Sequence, residues 1–476
     1  MRNKANLISC IDWYAVIIYL LLIIMGWMNI YAAVSDSSLS GAGFELTSRY
    51  GMQLIWIGIT LSIAVVILLI DAKFWHIFSA PMYIFSLLVL VSTLIIGREV
   101  NGAKSWLILG PVAFQPAELM KFTTSLMLAR GISSYNFKIN QINSLALIGG
   151  IIMLPIMVII LQNDTGSAIV YASFFFVLAR EGLGSWVYIL MGTVIALFVL
   201  SFLLTPFVMM ILILLFCLLC EGIMNGNWKS KIVYLASLTL GYIAVFALFN
   251  FIFKVGLSHY ASLLVSVVLS LVGVFTYIYR YKLVNVVKII GLFFASLGFT
   301  NIVDYVFDNI LQTHQQKRIL DLLGIEQDLR GWGYNVNQSK IAIGSGGFWG
   351  KGYLNGTQTK YNFVPEQSTD FIFCTVGEEW GFMGSLLVVT LFCMLILRLM
   401  KMGERQMEAF GRVYCYSVAG IFLIHLLINI GMTIGIMPVI GIPLMFFSYG
   451  GSSFLMFSIM FFVAVKLDAS YKENLN

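Results

Sequence analysis

Trp13-Tyr-Ala-Val-Ile-Ile-Tyr-Leu-Leu-Leu-Ile-Ile-Met-Gly-Trp-Met-Asn-Ile-Tyr-Ala-Ala33 contains no charged residue, and reading it decides the class of fold. A helix of about 20 apolar residues crosses roughly 30 Å of hydrocarbon. The run is longer than the apolar region of a signal peptide and lacks a small-residue cleavage site, so it reads as a retained span. Similar runs recur outward from it, near 51–71, 75–97, 116–134, 143–162, 166–181, 184–203, 206–222, 231–253, 259–279, 285–306, 370–400, 412–436 and 451–467, fourteen candidates in all. Of 476 residues 60% are hydrophobic and 11% charged, and mean hydropathy is +0.93. A soluble domain carries roughly a quarter charged residues, which excludes a soluble globular protein. The expected fold is all-α: a polytopic transmembrane helical bundle with one long extracytoplasmic loop.

The net charge of +6 orients this bundle. With the N-terminus in the cytoplasm, seventeen basic residues, among them Lys73, Arg130, Arg180, Arg398, Arg405 and Lys472, fall on cytoplasmic ends. Four (Arg49, Arg98, Lys104 and Lys254) fall in short outer loops. That bias is the positive-inside pattern, so the basic charge serves membrane insertion rather than nucleic acid. It places both termini in the cytoplasm. Cys217 and Cys220 form a CxxC, but inside an apolar run, where small buried hydrophobes fit better than a metal or redox site. The four histidines, His76, His259, His314 and His425, are scattered and suggest no metal site.

Polar residues interrupt the apolar pattern in three places. Arg98–Lys121 ends in Gln-Pro-Ala-Glu-Leu-Met-Lys, with Pro116 placed for a helical first turn and Glu118 and Lys121 on one face of that helix. The pair reads as a structural ion pair or, because ionisable groups in a span are costly, as a functional one. The second is the long loop 307–369. Its glycines Gly344, Gly346, Gly347, Gly350 and Gly352, with Lys340 and Lys351, suit either a flexible linker or a phosphate cradle. The loop closes on Asn362-Phe-Val-Pro-Glu-Gln-Ser-Thr-Asp370 and runs straight into a span. That puts Asp370 at the outer mouth, partly desolvated yet within reach of substrate. The third is Met437-Pro-Val-Ile-Gly-Ile-Pro-Leu-Met-Phe-Phe-Ser-Tyr-Gly-Gly-Ser-Ser453, which follows Asn429. Broken backbone between spans is tolerated where protein buries it or where it lines a cavity.

Together these segments resemble the SEDS family of bacterial membrane glycosyltransferases, to which RodA and FtsW belong. The resemblance rests on Asn101–Lys121, on Gly350–Gly352 with Gly356–Gln358, on Val364–Phe373 with Gly377–Glu379, and on Gly441–Ser452. It covers residues 10–185 and 310–467. Gln338–Gly347 and Gly-Thr-Gln lean toward the cell-elongation branch. Several positions depart from the family pattern. Asn163-Asp-Thr-Gly-Ser167 keeps only Asp164 and Gly166 of its motif, and His314–Arg318 keeps only Arg318. Ser368 stands where a histidine is common, Ser105 where a basic residue is usual, and Met445 where a second proline is usual. The family has about ten spans, so about four appear inserted. The organisation expected is 1–183, an N-terminal half; 184–306, inserted or divergent spans; 307–369, the outer loop; and 370–476, a C-terminal half.

The resemblance implies a peptidoglycan glycosyltransferase that polymerises lipid II during elongation and releases undecaprenyl pyrophosphate. It implies Asp370 as general base, and Arg49, Lys104, Lys121, Arg318 and Lys351 as positive charge for the leaving group. Glu118, Asp164, Gln358, Glu366, Ser448 and Ser452 are the further substrate-site residues it carries. A divalent cation, Mg²⁺ or Mn²⁺, suits carboxylates facing a pyrophosphate. The partners implied are membrane lipid and a class B penicillin-binding protein that cross-links the product. Two rivals remain open from sequence: a flippase for the same precursor, and the division-type polymerase.

Overall fold

The computed structural model describes residues 7–34, 45–100, 102–109, 112–135, 137–139, 141–184, 186–225, 228–254, 256–281, 284–309, 316, 320, 333–361 and 363–475. Each of the fourteen apolar runs coincides with helix. Nine helices among the described residues are long and apolar enough to span a membrane, and four shorter apolar helices accompany them. The remaining run is Pro116–Ile132, whose helix begins with the proline as expected. The chain divides into two compact units, one of residues 1–184 with 327–476, the other of residues 185–326.

In the first unit, helix Trp13–Val34 shows how a uniformly apolar segment is sorted. Ala15, Tyr19, Leu22, Gly26, Ile30 and Ala33 face inward, while Trp13, Ile17, Leu21 and Ile24 are exposed. Both faces are apolar because lipid, not water, covers the outer one. Tyr19 stacks on Phe461 at 4.9 Å and meets Phe446 edge-on at 5.0 Å, and its hydroxyl meets Ser458 Oγ at 2.9 Å. Helix Ile372–Arg405 packs on Ala409–Thr433 and on Trp13–Val34, and Ala72–Ile96 packs on Pro116–Ile132.

At the end of this unit where the first helix begins, Asp12 accepts from Arg398 at 2.9 Å and Arg405 at 2.8 Å. Arg405 also reaches Asp468 at 3.2 Å, and Lys472 pairs with Asp468 at 2.7 Å. Burial raises the Asp12 carboxyl, but the hydrogen bonds from Arg398 and Arg405 outweigh it and hold the group below the usual carboxylate range.

The second unit is purely helical among its described residues: Trp186–Leu203, Pro206–Asn225, Trp228–Ala247 ending in a π-turn at Leu248–Ile252, His259–Tyr281 and Val284–Asn309. Its core gathers Met209, Met210, Ile213 and Leu214 with Leu238, Leu263, Val267 and Phe293. Cys217 joins this core as a small apolar side chain.

Two segments differ from the sequence expectation. Arg98–Val100, Ala103–Leu109 and Val112–Phe114 form a three-stranded antiparallel sheet, pairing Val100 with Ala103 and Leu107 with Phe114. The chain is thus helical with one small sheet. Within 307–369, Tyr334–Ser345 is a helix whose Ala342 packs into a small core with Val364, Phe371 and Cys374, and Thr357–Lys360 forms one helical turn.

The glycine-rich stretch has a structural use. Helix Ile372–Arg405 breaks at Gly381 (φ +65°), and the loop supplies the hydrogen bonds that the break removes. Phe382 and Met383 N–H donate to Gly347 and Phe348 carbonyls at 3.0 and 3.2 Å, while Lys351 and Gly352 N–H donate to Glu378 and Glu379 carbonyls at 3.1 and 2.9 Å. Such an exchange demands contact without side chains: a Cβ at Gly346 would stand 2.0 Å from Gly377 O, and one at Gly350 2.1 Å from Glu379 O. Backbone cannot move aside as a side-chain tip can, so Gly346→Ala is expected to destabilise the protein by about 1–3 kcal/mol. Gly150→Ala, where nothing lies within 4 Å, should leave stability unchanged or slightly raised. Thermal unfolding of the two detergent-purified variants checks the contrast.

Candidate active site

Pro438 and Pro443 cannot donate to a helical ladder, and residues 434–450 accordingly cross between helices Ala409–Thr433 and Gly451–Leu475 as non-helical backbone. Gly435 and Gly441 (both φ +75°) and Phe446 (φ +61°) turn the chain. The second half of this strap is buried: Ile442, Leu444, Met445, Phe446, Phe447 and Ser448 are each under 5% exposed. Its peptide groups therefore need partners from neighbouring elements. Asn429 Nδ2 donates to Ile442 O at 2.8 Å, and the His425 ring stands 3.3 Å from Pro443 O. Ser448 Oγ accepts from Leu444 N–H at 2.9 Å and donates to Thr369 O at 2.6 Å.

The same strap holds Asp370. Tyr449 N–H donates to Ser368 O at 2.9 Å, and Asn429 Nδ2 also donates to Asp370 O at 2.9 Å. A Cβ on Gly441 would lie 3.4 Å from Asp370 Oδ2, so the carboxylate rests against that glycine. Asp370 is partly buried, two residues before helix Ile372–Arg405 begins. Burial, with the charge of Glu366 nearby, pushes its carboxyl up to about 6. Glu366 (φ +52°) is exposed and accepts from Thr369 Oγ1 at 2.9 Å. Arg49, exposed at the first turn of helix Arg49–Leu69, donates to Ser368 Oγ at 2.6 Å. Its guanidinium stands 6.0 Å from the Tyr449 ring. Asp370, Glu366, Arg49 and Ser448 thus converge on one site, with Ser452 buried in the first turn of the last helix.

Glu118 and Lys121 form a second cluster. They are 2% and 1% exposed and pair at 2.7 Å, with Lys121 Nζ also 3.1 Å from His425 Nε2. Asp164 caps the helix at Thr165, accepting from Ser167 N–H at 3.0 Å, Ser167 Oγ at 2.9 Å and Gln115 Nε2 at 2.9 Å. Lys351 and Gln358 meet elsewhere, on the fully buried Glu378. Its carboxylate accepts Lys351 Nζ at 2.7 Å and the N–H groups of Thr357, Gln358 and Thr359 at 2.7, 2.8 and 3.0 Å. The glycines beside Lys351 are taken up in the helix break, and Lys351 itself faces a carboxylate within the chain. Lys104 is exposed on the middle strand. Arg318 lies outside the described residues.

Sequence reasoning missed His425 and Glu378 as organising groups and left Asn429 without a role. The one signal for the first and last was their spacing, four apart just before a Gly/Pro-broken stretch. For a cation, no group of three His, Cys, Asp or Glu side chains assembles among the described residues. Asp370 and Glu366 do lie near enough to repel. Two carboxylates completed by phosphate oxygens suit Mg²⁺, so the residues fit a cation delivered with a substrate rather than a protein-built cage.

Known proteins share both sequence and architecture. The family model FTSW_RODA_SPOVE, described as "Cell cycle protein", matches residues 12–218 and 213–473. Peptidoglycan glycosyltransferase RodA of Treponema pallidum is 31% identical over 446 residues, 94% of each chain. Peptidoglycan glycosyltransferase MrdB of Escherichia coli K12 is 29% identical, covering 95% of this chain and 93% of its own. Among solved structures, a chain of a peptidoglycan synthase complex that coordinates polymerization and crosslinking aligns with TM-score 0.62 at 22% identity, covering 96% of this chain and 97% of its own. The rod shape determining protein RodA of Thermus thermophilus aligns with TM-score 0.55 at 20% identity, over 97% of both chains. With family matches spanning both halves and the same architecture throughout, this multi-pass bacterial membrane protein belongs to the FtsW/RodA/SpoVE family.

Proposed function

We propose that the chain is a peptidoglycan glycosyltransferase of the elongation type, and that it joins lipid II units into glycan at Asp370. The observation that carries this reading is a partly buried carboxylate seated against Gly441 of the broken strap, two residues from the Ser368 hydroxyl that Arg49 engages, with its carboxyl raised to about 6. A base is most effective when its pKa lies near working pH, deprotonated yet still proton-accepting. The acceptor sugar hydroxyl gives its proton to Asp370 as its oxygen bonds to the anomeric carbon of the donor. The bond from that carbon to the pyrophosphate oxygen breaks, and the electron pair leaves on undecaprenyl pyrophosphate.

Arg49 supplies the positive charge. Lys121 is buried against Glu118 and Lys351 is paired with Glu378, whereas Arg49 is exposed at a helix N-terminus, where anions are favoured. Asp370 and Glu366 are the carboxylates that would hold a divalent cation, and the ion would supply positive charge against the pyrophosphate leaving group. The full-length relatives named RodA and MrdB support elongation over division. The basic residues around the Asp12 cluster support a cytoplasmic location for that end and for both termini, with Asp370 on the outer side. The matched synthase complex supports a class B penicillin-binding protein as partner.

Polymerisation of purified lipid II in detergent tests the activity, because a flippase makes no polymer where there are no two sides. Asp370→Asn is expected to insert normally and to form no polymer; full activity in that variant would remove Asp370 as the base. The acid limb gives a second test. A base must be deprotonated, so the rate should rise with pH through about 6. Glu366→Gln removes a neighbouring negative charge, lowers the Asp370 value and moves that limb to lower pH. A limb that stays in place would show that Glu366 does not act on Asp370.

A further inference from the structure

His425, 1% exposed, is the central member of a buried polar chain and carries none of the roles assigned above. Its Nε2 lies 3.1 Å from Lys121 Nζ and its Nδ1 3.3 Å from Pro443 O. An ammonium only donates, so Nε2 must accept; a carbonyl only accepts, so the proton sits on Nδ1. The neighbours therefore fix one neutral tautomer. Lys121 is committed in turn: it donates to Glu118 Oε1 at 2.7 Å, points at His425, and stands 5.6 Å from the Phe457 ring centre. Phe457 also meets the His425 ring edge-on at 4.8 Å and packs against one side of the imidazole.

On the far side, His425 and Asn429 share one helix face, four residues apart. They hold consecutive carbonyls of the strap, Pro443 O and Ile442 O, and Asn429 also holds Asp370 O. The next residue back along the strap is Gly441, against which the Asp370 carboxylate rests. A continuous set of contacts thus runs from a buried ion pair to the proposed base.

We propose that His425 is a positioning residue for polymerisation: it transmits the fixed place of Glu118–Lys121 to the Ile442–Pro443 peptide, and so sets Gly441 against the Asp370 carboxylate. This rests on the glycosyltransferase reading. It also gives the Glu118–Lys121 pair a use that needs no contact with substrate. A histidine that merely filled the core would be replaceable by any side chain the fold accepts. A positioning histidine is replaceable only by one that both accepts from Lys121 and donates to Pro443.

Gln reaches about as far as Nε2 and carries one acceptor and one donor, whereas Asn is polar but too short for Lys121. In detergent with purified lipid II, His425→Gln should keep kcat within about threefold of wild type, while His425→Asn and His425→Leu should lose at least about tenfold with little change in KM. If the Leu variant does not fold, the comparison of Gln with Asn decides. An Asn variant at wild-type kcat, a Gln variant as slow as Asn, or a loss confined to KM would each overturn the inference. A wild-type chain that makes no polymer would overturn the glycosyltransferase reading as well, which separates the two failures.

Discussion

A buried stretch of backbone that is neither helix nor sheet must have every peptide group satisfied from outside itself. An unpaired amide in an apolar interior costs roughly 2–7 kcal/mol, comparable to much of a domain's net stability. In this protein the buried part of the strap, residues 442–448, imposes that demand, and much of the surrounding architecture answers it. Asn429 and His425 answer from one helix, Ser448 from within the strap, and the 368–370 turn from the entry to helix Ile372–Arg405. Asp370 acquires its position as a by-product, because its own carbonyl and those of Ser368 and Thr369 accept some of the hydrogen bonds that fix the strap.

How much of this the sequence disclosed depends on the range of the interaction. Spans are legible because a run such as Trp13–Ala33 states its environment within about 20 residues. The sheet within 98–114 was not legible, since its two outer strands are three residues long, show no period and form only on pairing with the middle one. Nor was helix Tyr334–Ser345, whose polar composition hides the face it buries; what fixes it is Gly346 approaching Gly377. Among the site residues, composition left Asp370 level with Glu366, Glu378 and Glu379. Structure separates them by environment. Glu378 is consumed in holding the loop 351–359, Glu366 is exposed, and Glu379 is buried in the helix. His425 stayed invisible because Lys121 is 304 positions away in the chain.

The buried charges are better understood as alignment than as stability. A desolvated pair such as Glu118–Lys121 gains little net energy over an apolar pair of the same volume, because both ions lose water. What it gains is direction: an ammonium with fixed acceptors holds its neighbours in one arrangement, as packing alone does not. The same reasoning covers Lys351 on Glu378. There a single carboxylate gathers three backbone N–H groups and one ammonium, and turns a glycine-rich segment into an ordered splice across the helix break.

The first helix closes the set of constraints. Asp12 ties its beginning to Arg398 and Arg405, and through Arg405 to Asp468 of the last helix. Tyr19 ties its middle to Ser458, Phe446 and Phe461. Two anchors seven residues apart fix both the rotation and the height of a helix, since seven residues make almost two turns. Gly26, seven further on the same face, is then carried against the strap, where a Cβ would stand 2.7 Å from Phe446 O. The strap is thus backed by the first helix while His425 and Asn429 hold its carbonyls. The proposed base needs such rigidity, because burial is what raises the Asp370 carboxyl, and a strap free to shift would let water in and return it to an ordinary carboxylate.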